Sequence, residues 1–349
     1  MENTAKVTWT TLKKNILVIG GAGYLGSVLC TKLLDLGHNV TILDNFVFGE
    51  EPISHLKEKT NLQIINSDIR DFRTLSIYIE KNDIVICLSA LVGFQLCEIN
   101  PPSTIEINNL SIKVIADLCN LYNKKLIFSS TCSVYGSSGQ KLITEKDKEV
   151  IPTDLYGETK YFSEKYIKEN LKDYLIFRFG TIFGLSYRMR FDLVVNLFIG
   201  RALEGEELIL HGGGIQMRPH VHISDACDGI IHGINKDLKG IYNVVYQNYS
   251  IKEIGEMISK ELNVPMRVTE EIIDKRDYNV SNKKLGLSGF EPKKDILFAI
   301  QEISKVYPEL GSYKQDKFNN YNWVKNNTEV QKKLFMKEVK HQGKEVLYK

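Results

Sequence analysis

Residues 20–26 read GGAGYLG, with Gly20, Gly23 and Gly26 at GxxGxxG spacing between a short apolar run and an amphipathic helical pattern. At such a turn glycine permits positive φ, lets the backbone approach a diphosphate, and lets the helix pack closely on the strand. The helix N-terminus adds oriented N–H donors for an anion. The surrounding KNILVIGGAGYLGSVLCTKLLDLGHNVTILDN reads as one β-α-β unit. Asp44 ends its second strand, about 20 residues on, where a carboxylate accepts hydrogen bonds from a ribose diol. The alternatives are a bare structural turn and a strand-end cap, but the pattern as a whole predicts a dinucleotide site. Asp44 favours NAD over NADP, because a carboxylate there repels a 2′-phosphate. The following NFVFG offers no Arg to offset it.

The alternation continues beyond this unit. NLQIINSD, DIVICLSA, KKLIFSST and DYLIFRFG read as further strands, separated by helical patterns such as STIEINNLSIKVIADLCNLY and GETKYFSEKYIKENL. This predicts an α/β fold of Rossmann type, a doubly wound parallel sheet. The expected organisation is a polar extension over 1–13, an NAD-binding domain over 14–185, and a smaller, partly helical substrate region over 186–310 that interleaves with it. Residues 311–349 hold nine Lys against four acidic residues and read as a solvated helix or loose tail.

A net charge of +2 gives no sign of a nucleic-acid or membrane-surface protein. The N-terminal MENTAKVTWTTLKKN lacks the apolar core of a signal peptide, and no apolar run is long enough to span a bilayer. The six Cys show no CxxC spacing, and several sit in apolar segments, as expected for buried thiols in a reducing cytoplasm. His220 and His222 stand two apart without a third ligand in view, which is a poor metal site. No metal is expected.

A Tyr leads a Lys by four residues three times: Tyr156 and Lys160, Tyr161 and Lys165, Tyr321 and Lys325. Residues four apart share a helix face, so each pair is either an exposed contact or a phenol held beside an ammonium. Tyr156 lies shortly after SSTCSVYG, which closes the KKLIFSS strand. Active-site groups of an open parallel sheet gather at strand carboxyl ends, so Thr131 is placed to face Tyr156. Tyr161 points to another face of the same helix, and nothing around Tyr321 in the sequence resembles a pocket. Tyr156 and Lys160 are therefore the catalytic candidates. Ionising a phenol near neutrality takes a drop of ~3 pKa units, or ~4 kcal/mol. One ammonium at ~4 Å and an effective dielectric near 20 supplies about that much.

GGAGYLG, Asp44, SSTCSVYG, YGETK and RPHVHISD, in this order, resemble the extended short-chain dehydrogenase/reductases of the NAD-dependent epimerase/dehydratase family, which act on nucleotide sugars. The resemblance covers roughly residues 14–300. It implies Tyr156 as acid/base, Lys160 as the residue that lowers its pKa and holds the nicotinamide ribose, and Thr131 as the residue that orients the sugar hydroxyl. It implies NAD contacts from Gly20, Gly23, Tyr24, Leu25, Gly26, Asp44, Asn45, Asp68, Ile69, Leu88, Ala90, Asn108 and Ser129, besides Tyr156 and Lys160. On the substrate side it implies Arg218 and Arg276 at the nucleotide diphosphate, Asn196 at the nucleotide end, and a role for His220 in local turn structure. Arg188 and Arg190, in SYRMRFD, resemble a sub-branch that handles diverse nucleotide sugars including GDP-heptoses; each would hold a phosphate or a hydroxylated sugar, or form a solvated charge pair. Thr181 stands where many members carry an Asn that contacts the diphosphate, which weakens that carry-over. A homodimer is also implied.

Members of this family begin by oxidising the sugar C4 hydroxyl. Dehydratases then place an acid pair after the catalytic Thr, where this chain has Cys132 and Ser133. The expected activity is a nucleotide-sugar 4-epimerase. A 4-dehydrogenase or 4-ketoreductase is the alternative; a 4,6-dehydratase or a silent NAD-binding sensor fits less well.

Overall fold

The computed structural model describes residues 12–137, 139–147, 151–271, 276–335, 337–341 and 344–348; most of the polar extension expected over 1–13 lies outside them. Seven parallel strands form the main sheet: β1 (Asn15–Ile19), β2 (Asn39–Asp44), β3 (Leu62–Asn66), β4 (Ile84–Cys87), β5 (Lys125–Thr131), β6 (Tyr174–Phe179) and β7 (Gly240–Val244). Their spatial order is β7-β6-β5-β4-β1-β2-β3. Ile16, Leu17, Val18 and Ile19 are all buried, as a strand covered on both faces requires.

Helices α1 (Tyr24–Asp35) and α5 (Ile223–Asn235) cover one face, packing Leu29, Leu33 and Ile230 on Ile16, Val18 and Ile42. Helices α2 (Phe72–Lys81), α3 (Ser111–Leu121) and α4 (Leu155–Asn170) cover the other, with Leu75, Ile115 and Ile167 against Leu17, Val85 and Phe128. The order reverses between β1 and β4, and a crevice opens there at the strand carboxyl ends, as in other doubly wound sheets. A π-helical turn, Glu106–Leu110, precedes α3 and places Asn108 and Asn109 toward α4.

A second, smaller region has its own core. Strands Thr181–Phe183, Met217–His222 and Gln247–Ser250 form a small sheet. Helices Val194–Leu203, Ile251–Leu262 and Ile296–Leu310 pack Val195, Ile254 and Ala299 around Phe183 and Tyr249. β7 returns to the main sheet only after this excursion, so the two regions interleave.

The C-terminal segment is not a loose tail over its described part up to Phe335. Helices Asn320–Asn326 and Thr328–Phe335 bury Val324, Val330 and Leu334 in the same core as Leu17 and Phe128. The Trp323 indole N–H donates to Val47 O, and Arg70 donates to the carbonyls of Lys333 and Leu334. The cause is an apolar stripe at helical spacing on an otherwise Lys- and Asn-rich segment. No helix among the described residues is long and apolar enough to cross a membrane. All six Cys are buried and unpaired.

Candidate active site

A cleft of about 660 Å³ runs along the carboxyl ends of β1, β2, β4 and β5 and out between the two regions. Gly20, Gly23, Tyr24, Leu25 and Gly26 line it. Gly20 has φ +87, and a Cβ on Gly26 would stand 2.2 Å from Gly20 O, so the turn closes against the first turn of α1 only with glycine at both positions. Asp44 lies just behind this wall, its carboxylate accepting the N–H groups of Ala22 and Phe46. Burial raises its pKa, against the backbone donors that lower it. Asn45, Asp68, Ile69, Leu88, Ala90 and Ser129 also line the cleft. The Asn45 amide donates to Asp68 (3.0 Å), and Arg70 pairs with that carboxylate at 2.7 Å. Burial acts to raise the Asp68 pKa, but Arg70 overcomes it and the net shift is downward.

Asn108 does not reach the cleft wall. It is fully buried, accepting Leu91 N–H and donating to Leu91 O, both at 2.8 Å. It braces the turn after β4 that carries Leu88 and Ala90, the expected cofactor contacts beside it.

Tyr156 sits in the first turn of α4. Asp154 caps this helix by accepting Gly157 N–H at 2.8 Å. A Cβ on Gly157 would come within 3.0 Å of Ser133 O, so glycine lets the helix approach the Cys132–Tyr135 turn after β5. Tyr156, Thr131 and Ser133 consequently share one stretch of the cleft wall. The Thr131 hydroxyl accepts Ser133 N–H at 3.0 Å, and Thr131 and Tyr156 line the cleft together. Lys160, one helical turn on, is buried, with Nζ donating to Ser129 O at 2.8 Å and standing 4.6 Å from the Phe128 ring centroid.

The electrostatics differ from the simple pair expected. Burial pushes the Tyr156 phenol above its ordinary value; the nearby Thr131 hydroxyl and the charge on Arg190 act to lower it. Burial also lowers Lys160 to about 8. Lys160 is therefore not alone beside the phenol: Arg190 adds a charge that lowers it.

Arg190 lines the cleft and is ion-paired with Asp192 through Nε (2.8 Å) and Nη2 (3.0 Å). Arg188 lines it too and is buried, so the two are not a solvated pair. Arg218, beside the Tyr278 ring, Arg276, 3.9 Å from Asp154, and Thr181 complete this side. Asn196 does not. It is fully buried, accepts Gly184 N–H, and donates to Tyr24 OH and Arg190 O. Those bonds make it a brace between α1 and the loop bearing Arg190. His220 Nδ1 is bonded to Arg218 O, and His222 Nε2 to Glu302.

Sequence reasoning missed the far wall. Asn319, Asn320, Tyr321 and Leu334 line the cleft, so Tyr321 does stand at a pocket. The available signal was the apolar set Phe318, Trp323, Val324, Val330 and Leu334, which predicts that the segment packs.

The model of the NAD dependent epimerase/dehydratase family matches residues 16–245. A UDP-N-acetyl-alpha-D-glucosaminuronate decarboxylase from Bacillus cytotoxicus is 27% identical over 333 residues, 90% of this chain and 98% of that protein. A putative UDP-glucose 4-epimerase from Methanocaldococcus jannaschii is 27% identical over 327 residues, 89% of this chain and 99% of its own. The solved UDP-N-acetylglucosamine 4-epimerase from Methanobrevibacter ruminantium M1, in complex with UDP-N-acetylmuramic acid, superposes with a TM-score of 0.78 at 26% identity, covering 86% of this chain and all of that one. With the matched model spanning well over half of the chain, and a Gly-rich turn, Thr131 and Tyr156 lining one crevice with Lys160 buried behind it, the chain belongs to the NAD-dependent epimerase/dehydratase family.

Proposed function

We propose that this enzyme is a nucleotide-sugar 4-epimerase. The supporting observation is the company Tyr156 keeps. The carboxylates among the described lining residues are Asp68, paired with Arg70, and Asp192, paired with Arg190. The two positions after Thr131 offer Cys132, whose thiol burial raises and whose Sγ is bonded to Arg178 O, and Ser133. No uncommitted acid stands beside the phenol to expel a hydroxyl, so the residues support oxidation and return at one carbon over dehydration.

The residues present fit NAD. Gly20 and Gly23 leave the turn open to a diphosphate, where a Cβ on Gly20 would fall 2.6 Å from Ser89 N. The Asp44 carboxylate, held just behind the cleft wall by two backbone N–H groups, would accept the ribose diol. Gly20, Gly23, Tyr24, Leu25 and Gly26 would hold the diphosphate, Asn45, Asp68 and Ile69 the adenosine end, and Leu88, Ala90, Ser129 and Lys160 the nicotinamide end. When bound, NAD accepts and returns the hydride at sugar C4.

Tyr156 takes the proton of the C4 hydroxyl, and Thr131, beside it on the cleft wall, orients that hydroxyl. Arg190 and Lys160 supply the positive potential that favours the phenolate. Arg218, Arg276 and Thr181, on the cleft wall, would hold the nucleotide diphosphate while the 4-keto ring turns. Tyr156 then returns its proton to the new hydroxyl.

A second reading, a nucleotide-uronate decarboxylase, is favoured by the similarity to the Bacillus cytotoxicus protein. It shares the first oxidation. Purified protein mixed with a panel of nucleotide sugars and uronates, followed by NMR at C4 and by NADH absorbance, separates the readings. Inversion at C4 without net NADH supports the epimerase; loss of C6 as CO₂, or NADH accumulating with product, refutes it.

A further inference from the structure

Arg188 is 5% exposed, and its guanidinium carbon lies 4.0 Å from the Phe48 ring centroid. It lines the cleft, yet its Nη2 has no hydrogen-bond partner. Among the described residues no carboxylate forms an ion pair with it. The nearby Asp192 is engaged by Arg190 and by Asn320 N–H at 3.0 Å. A buried guanidinium without a counter-charge is costly, and the neighbouring cation Arg190 adds to that cost. A site of this kind is completed by an anion.

Its place in the fold says which anion. The Arg188 N–H donates to Ser186 Oγ. That hydroxyl donates to Tyr24 O at 2.6 Å and is bonded to Ser27 Oγ at 3.2 Å, both in the first turns of α1. Phe48 lies on the loop leaving β2, four residues after Asp44. Arg188 is thus fastened to the two segments that flank the Gly-rich turn. Arg218 and Arg276 instead stand beside Tyr278 and Asp154, near the start of α4.

We propose that Arg188 binds the diphosphate of NAD, facing the N-terminus of α1 across it, rather than the nucleotide sugar. The α1 N–H groups and a planar guanidinium then grip the two phosphates from opposite sides. The proposal rests on NAD as cofactor and is independent of whether the sugar is epimerised or decarboxylated. A diphosphate also occurs in the substrate, so the test separates the two sources.

Full-length Arg188→Met, freed of nucleotide, is titrated calorimetrically with NAD, ADP-ribose and UDP beside the wild type. The thioether keeps the stem packed on Phe48 and removes the charge. NAD and ADP-ribose should each bind roughly 30-fold more weakly, as for loss of one partner of a buried charge pair, with UDP unchanged. The NAD dissociation constant should also depend less on KCl concentration. If UDP alone weakens, Arg188 belongs to the substrate; if no ligand weakens, it is a packing residue. Either result overturns the proposal. Should Arg188→Met not fold, Arg188→Lys, which keeps the charge but not the fork, should weaken NAD and ADP-ribose several-fold and spare UDP. Equal binding by that variant refutes the assignment as well.

Discussion

Beneath Thr131 lies a buried ion pair whose removal has a calculable cost. Arg178, on β6, donates to Glu164 of α4 through Nη2 (2.5 Å) and Nε (3.0 Å). Ser130 donates to the same carboxylate, and both charged side chains are buried. Glu164→Gln keeps the shape and still accepts from Ser130, but leaves the Arg178 charge uncompensated. Breaking one side of such a pair costs about 3–5 kcal/mol. The Tyr135 ring, 4.8 Å from the guanidinium carbon, stays in place and keeps the loss near the lower end, about 3 kcal/mol. Urea denaturation at pH 7 should show this as a lower midpoint at unchanged slope. The double variant Glu164→Leu with Arg178→Met, which removes both charges, should recover most of the loss. A single variant within about 1 kcal/mol of the wild type, or a double variant no better than the single, would refute the reasoning.

Gly26→Ala places a Cβ 2.2 Å from Gly20 O and 2.8 Å from Gly21 Cα. Overpacking of backbone should cost about 1–3 kcal/mol of stability and weaken NAD. Gly23→Ala, whose Cβ meets only Gly20 O at 3.4 Å, should weaken NAD with little loss of stability; a thermal melt and an NAD titration on each variant check the contrast. Arg190→Met, made with Asp192→Asn to avoid an orphaned carboxylate, removes a charge that lowers the Tyr156 phenol. The ascending, acidic limb of the kcat/KM pH profile, where the Tyr156 phenol must lose its proton, should move up by about one unit, and an unmoved limb would take Arg190 out of the acid/base work. His220 is lowered from 6.5 to about 4 by burial. Its folded value lies below its unfolded one, so the stability it contributes is present above about pH 6.5 and lost as pH falls to about 4, some 3 kcal/mol in all. Urea midpoints across that window should fall more steeply in the wild type than in His220→Phe.

The parts of the fold legible in the sequence are those governed by local chemistry. The Gly-rich turn, the apolar runs of β1 to β6 and the Asp154-capped helix α4 each declare themselves within a few residues. β7, with the mixed GIYNV, was hidden because its identity as a sheet strand depends on pairing with β6, a partner distant in sequence. Asn108 and Asn196 show the same limit in the site: nothing local distinguishes an amide that meets a ligand from one that braces a turn. The balance of charge at Tyr156 was also out of reach. It depends on the burial of Lys160 and on Arg190, brought alongside by a loop of the other region.

The helices that follow Asn319 have a consequence for the order in which the protein matures. The seven-stranded sheet is complete once β7 has been made, but Asn319, Asn320, Tyr321 and Leu334 still have to arrive before the cleft has all its walls. A nascent chain carrying the whole Rossmann sheet therefore still has a cleft open on one side. The cleft is walled in only at the closing stage of synthesis, after the sheet that forms its floor.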